Sequence, residues 1–321
     1  MFSWKKLGRV LDPASIPSST WIREFAQAPS ALVLDENVRV FFSSRTSPDS
    51  AGQYVSQLGY VDLDRKDLRC VKALAPNPVL PLGRLGTFDE FGIYPASVIR
   101  YGDEIRLYYA GWTRCESVPF NAAIGVAVSW DNGETFQRLG EGPVLGYSPD
   151  EPFVIGSPKI RRFKDMWYLW YVAGDKWLLT DTRSEPVYKI RMAYSSDGLN
   201  WTKVGKTLIP PVLSEEECQA SPDVTFFRDK YHMFFSYRYA LRFTQPTRGY
   251  RIGYACSDDL YNWVRLDGRA GLTTSGSGWD SESISYAHLV ELDGKLYVLY
   301  QGNEIGRVGF GLAELYTYSG G

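Results

Sequence analysis

The sequence of 321 residues has no apolar run of 18 or more residues, so it offers no transmembrane helix. Its formal net charge of −2 gives no basic field, and neither nucleic acid nor a membrane is an expected partner. The four cysteines, Cys70, Cys115, Cys218 and Cys256, lack the spacing of a disulfide framework or a metal site. Residues 1–6 lack the apolar core of a signal peptide, which favours a cytoplasmic protein with reduced thiols.

The sequence does contain a unit that repeats five times at a spacing of about 65 residues. In each unit an apolar strand A, a tight polar turn, an aromatic strand B and a strand C follow one another, and most units add a strand D. The turns are rich in Asp, Asn and Gly, as in Ser195-Ser-Asp-Gly198, which is typical of β-hairpins. No helical periodicity of comparable length competes with this pattern.

The two ends of the chain complement each other within the repeat. Residues 4–13 resemble strand D of the third unit (201–210), whereas the last unit, ending at Tyr316, lacks a strand D. We therefore predict an all-β, five-bladed β-propeller with four-stranded antiparallel blades, whose ring closes when residues 3–11 pair with residues 309–317. The predicted blades of this single domain, residues 1–321, lie approximately at 22–82, 88–145, 150–211, 216–272, and 280–318 plus 3–11.

The loops of such a propeller differ between its two faces. The A–B and C–D turns are short, whereas the B–C connections, such as 174–189, and the D–A connections, such as 76–92, are long. Long loops on one face of a rigid scaffold usually carry the binding site, so we expect the site on that face.

Acidic residues recur just before strand A. Five residues before the position of Pro29, four of the five units carry a glutamate, namely Glu24, Glu90, Glu217 and Glu282. We expect these four side chains to converge in one pocket, where mutual repulsion raises the pKa of at least one carboxyl and suits it to acid catalysis. The alternative is that each glutamate binds backbone amides and simply repeats with the fold.

Two units supply a second acid close by. We therefore predict that the catalytic carboxylates are Asp89 or Glu90 in one unit and Asp280 or Glu282 in another. A glycosidase requires two such groups, placed on either side of the scissile bond.

Further side chains on this face are candidates for substrate binding. Arg45 and Arg238 occupy the same position after strand B, and Arg238 could bind a carboxylate or phosphate through a bidentate pair of hydrogen bonds, or form a salt bridge with a glutamate. Aromatic rings can stack on sugar faces. The remaining candidates are the aromatic, acidic and polar residues near strand A or the long loops: Glu24, Tyr94, Trp112, Glu151, Lys159, Trp177, Glu217, Asp223, Trp279, Tyr286 and Asn303.

The last unit contains the segments Trp279-Asp-Ser-Glu282, Leu299-Tyr-Gln-Gly-Asn303 and Gly309-Phe-Gly-Leu-Ala313. Over essentially its whole length the chain resembles the five-bladed propeller glycoside hydrolases of families 43 and 32, and most of all uncharacterised family-43-like proteins. The resemblance implies a carbohydrate-active enzyme. It also implies that His288 holds a structural Ca²⁺ ion in the central pore through water.

The chain departs from these families at their catalytic positions. Family 43 has an aspartate beside the first proline, where this chain has Ala28-Pro29-Ser30, and family 32 has Arg-Asp-Pro where this chain has Ile93-Tyr94-Pro95. The general-acid glutamate of the third blade is replaced within Gly156-Ser157-Pro158-Lys159. Either the carboxylates five residues upstream substitute for the missing triad, or the chemistry differs.

We expect a glycoside hydrolase that acts on a small glycoside or glycan precursor, using paired carboxylates in the central funnel and requiring no cofactor. Two alternatives stay open: a glycosyl-transferring enzyme of polysaccharide assembly on the same scaffold, and a non-catalytic sugar-binding propeller. The expected partner is a small carbohydrate, and the sequence gives no prediction of oligomeric state.

Overall fold

The computed structural model describes residues 1–17, 21–50, 52–181 and 183–320, and its architecture is all-β. The strands form four-stranded antiparallel sheets, and a single parallel residue pair, Ser56 with Gly92, joins the first two. Helical structure in these ranges is confined to two 3₁₀ turns and the short α1 (Asn303–Gly306). None of it is long and apolar enough to cross a membrane.

The chain begins with β1 (Phe2–Leu11), which belongs to the last sheet. The first sheet contains β2 (Glu24–Val33), β3 (Asn37–Arg45), β4 (Ser56–Asp64) and β5 (Val71–Leu74). The second contains β6 (Gly92–Tyr101), β7 (Glu104–Arg114), β8 (Phe120–Ser129) and β9 (Gln137–Arg138). The third contains β10 (Ile155–Phe163), β11 (Met166–Leu179), β12 (Ser184–Ser195) and β13 (Thr202–Lys203). The fourth contains β14 (Glu217–Phe227), β15 (Lys230–Tyr239), β16 (Arg251–Ser257) and β17 (Val264–Arg265). The last contains β18 (Ser285–Leu292), β19 (Lys295–Gln301), β20 (Phe310–Tyr318) and β1.

The N-terminal strand forms the edge of the last sheet. β1 pairs antiparallel with β20, from Phe2 opposite Tyr318 to Leu11 opposite Phe310, and this is the pairing expected from the sequence. The Phe2 ring is fully buried and meets the ring of Phe234 in the fourth sheet at a centroid distance of 5.0 Å. Burial of such a ring stabilises by about 1.5–3 kcal/mol, so side-chain packing anchors the strand in addition to its hydrogen bonds.

The first strands of the sheets contact one another in cyclic order. β2 contacts β6, β6 contacts β10, β10 contacts β14, β14 contacts β18, and β18 contacts β2. Apolar clusters fill the spaces between neighbouring sheets; one of them combines Phe41 of β3 with Ile93 and Tyr109 of the second sheet. This arrangement is consistent with a propeller, in which sheets radiate from a common axis.

Each of these inner strands carries a bulge at the repeated proline or its equivalent. In β10, for example, the pairing register with β11 shifts between Gly156 and Lys159. A bulge bends the strand and re-aims the side chain that follows it. In four of the strands one bulge residue has a positive φ of 49–55°: Ala28, Ser157, Ser221 and Tyr286.

The C–D turns have the side-chain chemistry expected of tight hairpins. The Asp131, Asp197 and Asp259 carboxylates each accept hydrogen bonds from backbone N–H groups of their own turn. These bonds satisfy backbone donors within the turn itself, so a short turn needs no hydrogen-bond partner from another loop. This is in keeping with the short connections on the face that carries the A–B and C–D turns.

Candidate active site

A cavity of about 430 Å³ lies where the ends of β3, β7 and β15 approach the starts of β6, β10 and β18. Long connections complete its wall, contributing Tyr54, Pro119 and Phe243. We call this cavity the funnel; it lies on the face where the sequence places the long loops. A side cavity of about 370 Å³ shares Arg45 and Phe243, among others, with the funnel.

Aromatic rings form much of the funnel wall. Among the sequence candidates, Tyr94, Trp112 and Tyr286 line it, and the Tyr94 and Tyr286 rings lie 5.8 Å apart. Burial raises the pKa of the Tyr94 and Tyr286 hydroxyls, so both remain protonated hydrogen-bond donors. The wall therefore combines ring faces for stacking with hydroxyls for hydrogen bonding.

Two tryptophans expected in the site belong to the packing around it. Trp177 lies edge-on against Phe120, which itself lines the funnel, at a centroid distance of 5.7 Å. Trp279 stacks on Tyr300 at 5.2 Å and lies directly over Gly302, where a Cβ would come within 2.4 Å of its ring. Neither ring is a lining residue of these two cavities, so substrate binding by Trp177 and Trp279 stays a prediction without support from them.

The funnel is rich in arginine and poor in acid. Arg45, Arg114, Arg183 and Arg238 line it, against a single carboxylate, that of Glu185, within the described ranges. Arg114 pairs with Asp49, and Arg183 pairs with Glu185. Among the residues that the structure describes, neither Arg45 nor Arg238 has a carboxylate within ion-pair distance, and both line the funnel.

The four glutamates expected to converge are separated. Glu217 is buried beside Arg265, and Glu90 accepts a hydrogen bond from the backbone of its own loop. Glu24 forms an ion pair of 2.7 Å with Arg307, which lines the side cavity. Glu282 lines the side cavity itself. The prediction of one pocket containing all four glutamates is therefore wrong.

Ion pairs with a buried acid, inside four of the sheets, account for most of the recurring acids. In each, an acid before or at the start of the first strand pairs with a base on the fourth: Asp89 with Arg138 at 2.6 Å, Glu151 with Lys203 at 2.7 Å, Glu217 with Arg265 at 2.6 Å, and Asp280 with Lys6 at 2.6 Å. No acid side chain in this set is more than 4% exposed. In three pairs the acid also accepts a hydrogen bond from a tyrosine of the second strand: Tyr109, Tyr171 and Tyr300.

These contacts are those of a structural element that repeats with the fold. They correct the catalytic hypothesis for Asp89 and Asp280 and the substrate-binding hypothesis for Glu151 and Glu217, because each carboxylate is already neutralised and none lines either cavity. Residues that stand five positions before the repeated proline do not occupy equivalent positions in the five sheets. The reason is that the connections into the inner strands differ in length and conformation.

Glu282 is the candidate catalytic residue that lines a cavity. Its backbone N–H donates to Asn303 Oδ1 at 2.8 Å, and its carbonyl accepts from Arg251 at 2.7 Å. The side chain itself is exposed at the side cavity. Asn303 therefore positions the loop that carries Glu282. It lines neither cavity, and its predicted role in substrate contact stays a prediction.

The bulges bring three sequence candidates together along the inner strands. Lys159 Nζ lies 3.2 Å from His288 Nδ1, which lies 3.3 Å from Asp223 Oδ2. Arg161 also pairs with Asp223, at 2.7 Å. We call these four residues the pore cluster. Lys159, Asp223 and His288 are buried and absent from the cavity linings, so the substrate-binding prediction for Lys159 and Asp223 is not supported.

The pore cluster does not fit the calcium site implied by the family resemblance. Calcium takes six to eight oxygen ligands, but His288 contacts one carboxylate, that of Asp223, together with the Lys159 amine. No group of three or more His, Cys, Asp or Glu in the described ranges is arranged to hold a metal ion. Burial lowers the pKa of Lys159 to about 8 and that of His288 well below its usual range, so the imidazole is neutral.

Several funnel residues were missed at the level of sequence: Tyr54, Glu185, Tyr188, Phe243 and Tyr250. Tyr54, Phe243 and Tyr250 lie in the long connections, and Glu185 and Tyr188 lie in the first half of β12. The aromatic and charged composition of these segments was an available signal. Only the course of each loop determines which of its side chains face the funnel.

The fold matches solved glycoside hydrolases over nearly the whole chain. The TM-score is 0.75 with a glycoside hydrolase (16% identity, 99% of this chain and 93% of the other) and 0.65 with a thermostable family-43 glycoside hydrolase (17% identity, 95% and 94%). It is 0.71 with a structure from work on the GH130 family of mannoside phosphorylases, which contains glycoside hydrolases that target β-1,2 mannosidic linkages in Candida mannan (15% identity, 98% and 94%). The fold is therefore that of the glycoside hydrolase propellers, which confirms the resemblance found in the sequence.

At the level of sequence no family model matches the chain. The chain belongs to the family of the uncharacterized proteins MT1551 and Rv1502 of Mycobacterium tuberculosis, to which it is 32% identical over 314 residues, covering 98% of this chain and 99% of the relatives. It is also similar to the β-1,2-mannobiose phosphorylase of Thermoanaerobacter sp. (strain X514), at 26% identity over 139 residues, which is 40% of this chain and 43% of that protein.

Proposed function

We propose that the protein is a carbohydrate-active enzyme of glycosidase type, acting on a small glycoside bound in the funnel. The observation that carries the proposal is the funnel wall, where the rings of Tyr94, Trp112 and Tyr286 stand beside arginines and phenolic hydroxyls. Rings with polar edges suit sugars, which present both C–H faces and hydroxyl rims. The cyclic contact order and the pairing of β1 with β20 further lead us to infer a closed ring of five blades.

Glu282 is the proposed general acid. Its loop is held by Asn303 and Arg251 through backbone atoms, which leaves the carboxyl exposed to the side cavity that adjoins the funnel. Glu304 lines the same cavity and is the proposed second carboxylate of a hydrolytic pair. In this hydrolase Glu282 would protonate the leaving oxygen as the glycosidic bond breaks. Glu304 would act as general base and take a proton from the water that attacks the anomeric carbon.

A glycosyl-transferring enzyme is the second candidate. The excess of arginine over carboxylate in the funnel favours it, because transfer to an anionic acceptor such as phosphate needs bound cations and only one acid. The partial similarity to a β-1,2-mannobiose phosphorylase supports the same candidate.

The test is turnover of a panel of aryl glycosides and manno-, gluco- and arabino-disaccharides, with and without phosphate, followed by product analysis. Free sugar as product supports the hydrolase, whereas sugar phosphate supports the transferase. With the true substrate, Glu282→Gln should lower turnover by about 10²–10⁴-fold, the usual contribution of a general acid.

The matched control is Glu141→Gln, the same change at an exposed residue paired with Arg84 and outside both cavity linings. This variant should keep wild-type turnover. Near-normal turnover of Glu282→Gln would contradict its role as acid. Binding of sugars without turnover across the panel would favour the non-catalytic sugar-binding propeller.

A further inference from the structure

Arg238 is a buried cation whose contacts leave its charge uncompensated. The residue is 4% exposed, and one terminal nitrogen donates to the carbonyls of Tyr239 and Ala240 at 2.8 and 3.1 Å. The other terminal nitrogen donates to the Tyr188 hydroxyl at 3.1 Å, and the guanidinium stacks on Phe243 at 3.8 Å. Its buried Nε has no hydrogen-bond partner in the described part of the chain.

Arg45 approaches the funnel from the first sheet, and its guanidinium likewise contacts uncharged groups. Its Nε donates to Gln27 at 3.1 Å, and its guanidinium lies over the rings of Phe25 and Tyr54 at 4.6 and 5.3 Å. Neither Arg45 nor Arg238 has a carboxylate within ion-pair distance among residues 1–17, 21–50, 52–181 and 183–320. Of the two, Arg238 is buried and Arg45 half-buried. By contrast the Arg265 side chain, which is also buried, contacts both Glu217 and Asp267.

The two arginines flank one set of tyrosine rings. Arg45 lies 5.9 Å from the Tyr94 ring, and Arg238 lies 5.2 Å from the Tyr250 ring. The Tyr286 ring connects them, at 5.8 Å from Tyr94 and 6.1 Å from Tyr250. All five residues line the funnel, so both positive charges and several phenolic donors border the same space.

A buried charge without a partner is unfavourable, and the usual reasons for its retention are a ligand or a functional role. The groups around this space are guanidinium and phenol donors. The acid of the funnel wall, Glu185, is already held by Arg183. Such a surface attracts an oxyanion and repels a cation. Two guanidinium groups match the two negative charges of a phosphate better than they match the single negative charge of a carboxylate.

We propose that Arg45 and Arg238 bind a phosphate-type oxyanion in the funnel, either free inorganic phosphate or the phosphate group of a phosphorylated sugar. The inference rests on the proposed function only in taking the funnel as the substrate site. It assigns to that site a ligand class that the ring faces alone do not specify.

The experiment is direct binding, measured by calorimetry at constant ionic strength without any turnover. Inorganic phosphate, mannose 1-phosphate, glucose 1-phosphate, their neutral parent sugars and glucuronate are each titrated into the wild-type protein. They are also titrated into Arg45→Gln, Arg238→Gln, the charge-retaining Arg238→Lys and the control Arg69→Gln. Arg69 is exposed and paired with Asp67 in its own turn, so the control removes one arginine remote from the funnel.

We expect wild type and Arg69→Gln to bind at least one phosphate-bearing probe more tightly than the matching neutral sugar. Arg45→Gln and Arg238→Gln should weaken that binding by about 10- to 100-fold, the effect of losing hydrogen bonds to a charged group. Arg238→Lys should fall between wild type and Arg238→Gln, because it keeps the charge but loses the planar fork. Binding of inorganic phosphate alone identifies the free ion as the ligand, and binding of the sugar phosphates alone identifies the attached group.

Three results would overturn the proposal: no phosphate-bearing probe binds the wild-type protein, the glutamine variants bind as the wild type does, or glucuronate binds more tightly than the phosphates. If thermal unfolding shows that Arg238→Gln is not folded, the binding measured for Arg45→Gln and Arg238→Lys still tests the proposal. Because binding is read without turnover, inactivity on every glycoside would count against the proposed function and leave this result standing.

Discussion

The buried charges inside the sheets and those of the funnel wall are arranged in opposite ways. Within the fourth sheet, the Glu217 and Arg265 side chains are 0% and 4% exposed and lie 2.6 Å apart, and three other sheets contain an equivalent pair. In the funnel, Arg238 is as deeply buried, yet its charge meets carbonyls, a phenol and a ring. Inside the sheets the acid and the base neutralise each other, whereas in the funnel the charge of Arg238 has no carboxylate partner and can interact with a ligand.

Structural and functional charges in a repeat protein therefore differ in whether a partner within the same sheet neutralises them. An acid that recurs in four of the five sheets and pairs with a base of the same sheet serves the fold, as Asp89 and Asp280 show through Arg138 and Lys6. A buried charge that recurs in only some units, without a partner, indicates a binding site. The stability of variants can test the distinction, because breaking a pair and removing an unpaired charge should have unequal effects.

The largest effect is expected for Glu217→Ala. The change leaves Arg265 with the partly exposed Asp267 as its carboxylate partner and removes the acceptor of the Val212 and Leu213 backbone N–H groups. Breaking a buried pair in this way typically costs about 3–5 kcal/mol of unfolding free energy, measurable by urea denaturation. A loss below about 1 kcal/mol would mean that the ion pairs inside the sheets are not structural elements.

The unfolding free energy should also depend on pH through the pore cluster, by an amount similar to the loss expected for Glu217→Ala. Burial lowers the pKa of Lys159 from 10.5 to about 8, so between these values the unfolded chain binds more protons than the folded one. Stability contributed by this site should therefore rise as pH increases from about 8 to 10.5, by up to about 3 kcal/mol. The measurement is the difference in unfolding free energy between wild type and Lys159→Met across that interval. A difference that stays constant, or that falls with pH, would contradict the burial of a charged Lys159.

Arg238→Met should change the unfolding free energy by no more than about 1 kcal/mol in either direction. The variant loses the hydrogen bonds to the Tyr239 and Ala240 carbonyls, but it also removes an unpaired charge and keeps an apolar side chain against Phe243. A loss as large as that of Glu217→Ala would place Arg238 with the structural charges and remove the contrast between the two regions.

The smallest effect is expected where a pair is exposed. Glu141 and Arg84 form an ion pair with side chains that are 61% and 74% exposed. Because water screens such a pair, Glu141→Ala should alter stability by about 0–1 kcal/mol in urea denaturation. A larger loss would show that pairing itself, rather than burial of the pair, determines the cost.

The residues alone were sufficient to predict an all-β architecture of four-stranded antiparallel sheets, because each unit carries local signals that do not depend on distant parts of the chain. Hairpin turns such as Ser195-Ser-Asp-Gly198 and the strand alternation between them define the repeat. The strand D pattern of residues 4–13 predicted the pairing of β1 with β20, since the last unit lacked that strand. The long loops predicted the face that carries the cavities.

The tertiary structure decided which side chains face those cavities. Asp89 and Glu90 are neighbours in the chain, yet one is buried against Arg138 and the other accepts a hydrogen bond from its own loop. Lys159 and His288, 129 residues apart, meet because bulges re-aim both toward a shared axis. Arg45 lies over Tyr94 and Arg238 over Tyr250, two rings of one tyrosine cluster that the ends of two different sheets bring together. Composition and spacing act along the chain, whereas neutralisation of a charge depends on distance in space, and only the packed sheets set that distance.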